Sequence, residues 1–199
     1  MNFCSSCGAR VVLAKPEGED VARHVCTSCS EIHYRNPGVV AGCVPFWQGR
    51  VLLCRRGIEP AYGCWTVPGG YVESGETVQH AAVREAREEA NIQVRLGSLL
   101  SVTNVVRANQ VHLFYRAEMS TGEFCAGSES REVRLFHPRD IPWDEIAFDS
   151  VEESLRQAVS TVLEFHLTVA PLQHSSVRPP RASQYDVSDD LPTRPAWFA

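Results

Sequence analysis

Gly70 to Ile92 reads GYVESGETVQHAAVREAREEANI, and this stretch decides the fold. It follows a Pro68-Gly69-Gly70 turn, sets Glu76 in a loop, and then places Glu85, Glu88 and Glu89 at helix spacing. Residues related as i, i+3 and i+4 fall within roughly 100° on a helix and point the same way. Carboxylates that close repel by about 0.2–0.5 kcal/mol per pair on an isolated helix, and the same trio suits a hard divalent cation that takes oxygen ligands. Val78, Ala82, Ala86 and Ala90 make an apolar stripe beside the glutamates, so a helix from about Thr77 to Ala90 can pack on a sheet while its adjacent edge faces a cleft. Asn91 suits the left-handed residue that ends a helix, second only to glycine. A solvated surface helix is the other reading of such a charge run, but it leaves the Pro-Gly-Gly turn and Glu76 without a reason.

A second signal lies near the start of the chain. Cys4-x-x-Cys7 and Cys26-x-x-Cys29 are separated by eighteen residues, the spacing of a closed tetrahedral zinc site with four cysteine ligands. A segment of about thirty residues buries too little surface to fold without a metal or crosslinks, so zinc binding is its folding energy. The alternatives are a disulfide pair or a redox CxxC. The chain begins Met-Asn-Phe-Cys with no leader ahead of the cysteines, which points away from an oxidising compartment. His24 and His33 are near enough to substitute as ligands, although a histidine beside a complete cysteine set is more often a bystander. Cys43, Cys54, Cys64 and Cys125 stand singly and read as packed thiols.

Outward from these motifs, residues 1–34 form the ribbon and 35–170 the main domain. Val39 to Trp47, a turn at Gln48-Gly49-Arg50 and Val51 to Cys54 read as a hairpin. Further strands are expected at Val94–Val106, Val111–Met119 and Val133–His137. A second helix is expected from Val151 to about Leu167, with Val151, Leu155, Val159, Val162 and Phe165 or His166 on its buried face, and it opens on a capping-box pattern, Ser150-x-x-Glu153. Residues 171–199 shift to proline, serine and arginine and read as a disordered tail, with Trp197 and Phe198 at its end. No run of apolar residues approaches eighteen, so a membrane-spanning helix is not expected. The net charge of -5, with Arg10, Lys15 and Arg23 offset by Glu17, Glu19, Asp20 and Glu31, argues against a nucleic-acid surface.

Gly70, Glu76, Arg84-Glu85-Ala86-Arg87-Glu88-Glu89 and Ile92 together resemble the Nudix box, with Asn91 where the family's pattern has glycine. The resemblance extends from residue 1 to about 167 and implies an α/β class, the Nudix α/β/α sandwich around a mixed sheet, preceded by a small zinc ribbon. It also implies roles. Glu85, Glu88 and Glu89, with the Gly70 carbonyl, would hold magnesium or manganese, and Glu88 or Glu89 would act as the base that positions water. Glu76 and Arg84 look like the family's structural pair. Many of these enzymes add an acid from a later loop, and here Glu129 is the first choice and Glu132 the second. In that setting Arg55 and Arg56 could reach a phosphate, and Tyr62 or Trp65 could stack on an adenine or flavin; surface arginines and core aromatics are the plainer readings.

The implied activity is a metal-dependent pyrophosphohydrolase acting on a nucleotide-type small molecule, with ADP-ribose or FAD first. NADH or a nucleoside triphosphate is the alternative. Nothing resembles the SQPWPFP run of the NADH pyrophosphatases; Ser101 to Val106 reads SVTNVV. From another class, a ligand-sensing or nucleic-acid-binding zinc-ribbon protein would be expected to lose box acids, and all are present. Homodimers are common in the family, and the cytoplasm is the expected location.

Overall fold

The computed structural model describes residues 1–167, with side chains placed through residue 160. The segment read as a tail, with Trp197 and Phe198, lies outside the described residues, as do the side chains of Val162, Phe165 and His166.

Three short strands, β1 (Val11–Ala14), β2 (Arg23–Cys26) and β3 (Ile32–His33), form an antiparallel sheet at the N-terminus. Its buried core is only Cys4, Val11 and Cys26, with Ala9 packed against them. So little apolar area cannot offset the chain entropy of ordering the segment.

The main domain is a seven-stranded mixed sheet. β4 (Gly38–Trp47) and β5 (Arg50–Arg56) are joined by Gln48 and Gly49 at φ 48° and 76°. Positive φ at both positions is what a two-residue hairpin requires for its twist to match the strands. β6 (Trp65–Thr66) and β7 (Gly69–Tyr71) are short. α1 (Val78–Ala90) follows, then β8 (Val94–Val105), β9 (Gln110–Met119), β10 (Ser130–Phe136) and α2 (Asp149–Leu167). The strand order is β10-β5-β4-β9-β8, with β6 on β5 and β7 on β4. β4 and β9 run parallel, and every other named pair is antiparallel.

Adjacent residues of a strand face opposite sides of the sheet, and Leu52 and Leu53 show it. Leu52 packs with Cys43, Ala81, Ala82, Ala86 and Tyr115 under α1. Leu53 packs with Phe46, Trp65, Leu155 and Val159 under α2. The helix, sheet, helix layering expected of the α/β sandwich is therefore present. Because α1 presents alanines inward, its backbone lies close to the sheet.

Three local expectations are corrected. Pro68-Gly69-Gly70 is not a turn: Gly69–Tyr71 is an extended strand whose Gly69 faces Gly42 across the ladder. The turn lies later, at Gly75, where φ is 91°. The capping box at Ser150 does not form, because α2 begins at Asp149. Ser150 Oγ instead meets His112 Nδ1 at 2.8 Å, and Glu153 accepts a hydrogen bond from Thr103 Oγ1 at 2.8 Å. Cys125, read as a packed thiol, is exposed, while Cys43 and Cys54 are buried as expected. Among the described residues no helix is long and apolar enough to cross a membrane.

Candidate active site

α1 starts where Thr77, in extended conformation, accepts the His80 N–H on its hydroxyl at 3.1 Å. It ends at Asn91, left-handed at φ 52° and ψ 33°, whose backbone N–H reaches the Ala86 and Arg87 carbonyls. The following loop completes this end. Cys125 N–H donates to Ala90 O at 3.1 Å, Gly127 N–H to Glu89 O at 2.9 Å, and Asn91 Nδ2 to Cys125 O at 3.2 Å. The last carbonyls of a helix have no partner within it; here the loop that carries Glu129 supplies them.

Arg84 gathers the acids. Its Nη2 donates to Glu76 Oε1 at 2.8 Å and to the Tyr71 carbonyl at 2.9 Å, and its Nε to Glu76 Oε2 at 3.2 Å. Its Nη1 donates to Glu85 Oε1 at 2.7 Å and Glu88 Oε2 at 3.0 Å. The two-pronged bond to Glu76 ties the loop after β7 to the helix in a geometry a lysine could not copy. The same guanidinium holds Glu76 below the usual carboxylate range, helped by the Glu73 N–H.

Glu85 and Glu89 have the opposite character. Burial pushes the Glu85 carboxyl up, against the pull of Arg84, and the charges of Glu88 and Glu129 add to the rise. Glu89 is 7% exposed. Burial, then the neighbouring Glu85, carry its pKa up to about 8, with Glu129 adding and Arg56 and the Gly69 N–H opposing. Two desolvated carboxylates one turn apart on α1 have the chemistry of a hard divalent-cation site, although among the described residues only the four cysteines draw their ligand atoms into a metal-sized cluster. Gly70 supports that fit: a Cβ there would lie 2.3 Å from Glu85 Oε1, so the absence of a side chain keeps the space beside Glu85 open.

The remaining sites divide. Glu129 is exposed, its field reaches both Glu85 and Glu89, and its carbonyl accepts the Gly57 N–H at 2.7 Å. Glu132 turns away to Arg55, at 3.6 Å. Arg55 is further held by the Gly63 carbonyl at 2.8 Å and lies over Trp65. Arg56, whose charge is felt by Glu89, bonds the Pro60 carbonyl at 2.7 Å. Tyr62 is 53% exposed on the loop between β5 and β6. Trp65 is 5% exposed and meets Phe136 edge-on at 4.9 Å; with its ring in the core it offers no face to a base, and it leaves the substrate-binding set. An open depression of about 790 Å³ runs along the outer face of α1 from His80 past Arg84 and Glu88 to Ser128, next to Glu129.

In the ribbon, the sulfurs of Cys4, Cys7, Cys26 and Cys29 all lie within 4.8 Å of one another. Cys4 and Cys29 are 3.7 Å apart and Cys7 and Cys26 3.4 Å. A tetrahedron of sulfurs about 2.3 Å from zinc has edges near 3.8 Å, so the set fits zinc and the spacing is too long for disulfides. Backbone N–H groups of Ser6 and Ser28 point at Cys4 and Cys26 Sγ, each at 3.4 Å. Although burial opposes it, hydrogen bonds from the backbone at Cys7 and Ser6 and from His33 lower Cys4 to about 6. His33 Nε2 sits 3.3 Å from Cys4 Sγ and outside the four-sulfur cluster.

Comparison with known proteins is consistent with both sites. The family model described as NUDIX domain matches residues 36–157, and the one described as Nudix N-terminal matches residues 2–35. An ADP-ribose pyrophosphatase of Methanocaldococcus jannaschii is 32% identical over 120 residues, 58% of this chain and 70% of that protein. A NAD-capped RNA hydrolase NudC of Photobacterium profundum is 30% identical over 122 residues, 61% of this chain and 44% of that protein, so the chain spans less than half of that relative's length. A NUDIX hydrolase from Nitrosomonas europaea, solved by crystallography, superposes with a TM-score of 0.78 at 41% identity, covering 87% of this chain and 97% of that one.

Proposed function

Since this chain belongs to the NUDIX family and is a Nudix hydrolase, we propose that it cleaves a nucleoside diphosphate linked to another moiety, ADP-ribose or FAD before others, to a nucleoside monophosphate and a phosphorylated partner. The observation that carries the reading is the pair of desolvated acids, Glu85 and Glu89, beside the side-chain-free Gly70. In this reading Glu85, Glu88, Glu89 and Glu129, with the Gly70 carbonyl, hold magnesium or manganese. Bound there, the cation neutralises phosphate charge and activates the attacking water.

The protein's own groups do the rest. Glu88, bonded to Arg84 yet more than half exposed on its side chain, is in this reading the base that accepts the water's proton, with Glu89 as the alternative. Arg84 and Glu76 act by position, fixing the loop against α1. Arg56 brings positive charge toward Glu89 and is the better placed of the two strand-end arginines to meet a phosphate; Arg55 is committed to Glu132 and Gly63. Residues 1–34 are the zinc ribbon, 35–170 the hydrolase domain, and the cytoplasm the compartment that suits its unpaired cysteines. A homodimer is in keeping with the family. The identity to a NAD-capped RNA hydrolase favours an NADH-type dinucleotide as the second reading.

The test is phosphate release, coupled to a phosphatase, from ADP-ribose, FAD, NADH and nucleoside triphosphates with magnesium or manganese, comparing wild type with Glu89→Gln. Preference for ADP-ribose or FAD that collapses in the variant is expected. Binding without turnover of any compound would point to a ligand sensor and defeat the proposal.

A further inference from the structure

The ladder between β10 and β5 carries one irregularity, and it lies beside the site. Ser130 faces Arg56 and Glu132 faces Arg55, so Arg131 is an extra residue with no partner across the ladder. Such a bulge re-aims a side chain, and bulges are over-represented next to active sites. Here it turns the Arg131 guanidinium over the ring of Tyr62, 5.0 Å from its centroid. Gly57 makes room: a Cβ there would lie 3.0 Å from Glu129 O and 3.3 Å from Arg131 Cγ.

The loop that presents Tyr62 is held at several points. Gly63 N–H donates to Arg56 O, Arg56 N–H to Cys64 O, and the two arginine side chains bond Gly63 O and Pro60 O. Tyr62 and Arg131 are both exposed all the same. No carboxylate among the described residues pairs with Arg131. It therefore stands two residues from Glu129, charged, exposed and with its guanidinium carbon over the Tyr62 ring.

We infer that Tyr62 and Arg131 form the recognition element for the aromatic base of the substrate, the base lying on the open face of the Arg131 guanidinium while Tyr62 backs it. A planar guanidinium stacks on rings from both sides, which a lysine ammonium does not do. The loop and bulge hold the stack before any ligand arrives, so little ordering is lost on binding. This assignment rests on the nucleotide pyrophosphohydrolase reading above and adds to it the residue that selects for a base.

The experiment is calorimetric titration of the full-length protein, in magnesium, with AMP and with ribose 5-phosphate, which share a phosphorylated ribose and differ in the base. ADP-ribose turnover is measured in parallel. Arg131→Ala and Tyr62→Ala should each weaken AMP about tenfold or more, the scale of a lost base stack, and leave ribose 5-phosphate unchanged. KM for ADP-ribose should rise while kcat holds. Arg131→Lys, which keeps charge but not the plane, should follow Arg131→Ala, and Tyr62→Phe should behave as wild type. Equal weakening of both ligands, rescue by lysine, unchanged AMP binding, or a wild type that binds AMP no tighter than ribose 5-phosphate would overturn the assignment. Failure of the parent reading would show separately, as a wild type with no turnover.

Discussion

Gly70→Ala isolates the chemistry of the site from the stability of the fold. The added Cβ would lie 2.3 Å from Glu85 Oε1 and 2.6 Å from its carboxyl carbon, short of van der Waals contact by about 1 Å. What it meets is the end of a side chain, so the carboxylate moves and the backbone stays. A displacement of about 1 Å at a reacting centre costs on the order of 100-fold in rate, or about 2.7 kcal/mol of barrier. The midpoint of thermal unfolding should shift by no more than about 2 °C. Gly42→Ala gives the contrast. There a Cβ meets the Pro68 carbonyl at 2.5 Å and the Phe114 ring at 2.7 Å, in the β4–β7 ladder where neither can retreat. Overpacking of that kind costs about 1–3 kcal/mol, at about 2–4 °C of midpoint per kcal/mol for a chain of this size. Steady-state kcat on ADP-ribose and scanning calorimetry, run on both variants, separate the two effects. A Gly70→Ala enzyme with wild-type kcat, or one whose lost rate merely tracks lost folding, would refute the placement of Glu85.

Cys26→Ser should abolish zinc binding, read by elemental analysis, and collapse the backbone resonances of residues 1–34, because the ribbon's buried core is only Cys4, Val11 and Cys26 with Ala9 against them. His112 is 9% exposed, and burial lowers its pKa from 6.5. The folded protein therefore refuses a proton that the unfolded chain accepts, and the stability this histidine contributes is present above pH 6.5 and lost as pH falls toward its folded value. Urea unfolding across that range should show wild type converging on His112→Gln as pH falls; parallel curves would exclude the effect. Asn91→Ala should destabilise by about 1–2 kcal/mol for the left-handed position alone, and Asn91→Gly by less, with denaturant midpoints as the measure.

Where structure was written in local spacing, the sequence could be read. The stacked carboxylates of α1, its stop at Asn91 and the paired CxxC knuckles each depend on residues a few positions apart. Glu76 and Arg84 pair over eight positions because one loop and two helical turns fix the distance. Long-range contacts left less trace. Gly69 and Gly70 read as a turn because glycines usually mark one, yet they serve a strand that must approach Gly42 closely. Ser150 has the composition of a cap and is claimed by His112 from a strand thirty-eight positions away. Trp65 and Tyr62 are both aromatics near a strand end, and only the packing against Phe136 separates core from surface. Arg131 left no periodic signal, since a bulge interrupts the alternation by which a strand is recognised.

The loop from Cys125 to Glu129 terminates α1 and carries an acid whose charge reaches Glu85 and Glu89. Helix termination and the electrostatics beside these two acids are thus one inheritance. Lengthening this loop or exchanging it for a relative's, the usual route to new substrate preference on a shared scaffold, would unseat the end of the helix that bears Glu88 and Glu89. Variation in specificity has an easier path through the loop after β5, which is held by its own backbone carbonyls at Pro60 and Gly63 and, among the described residues, is hydrogen-bonded to the Cys125–Glu129 loop through the Gly57 N–H alone.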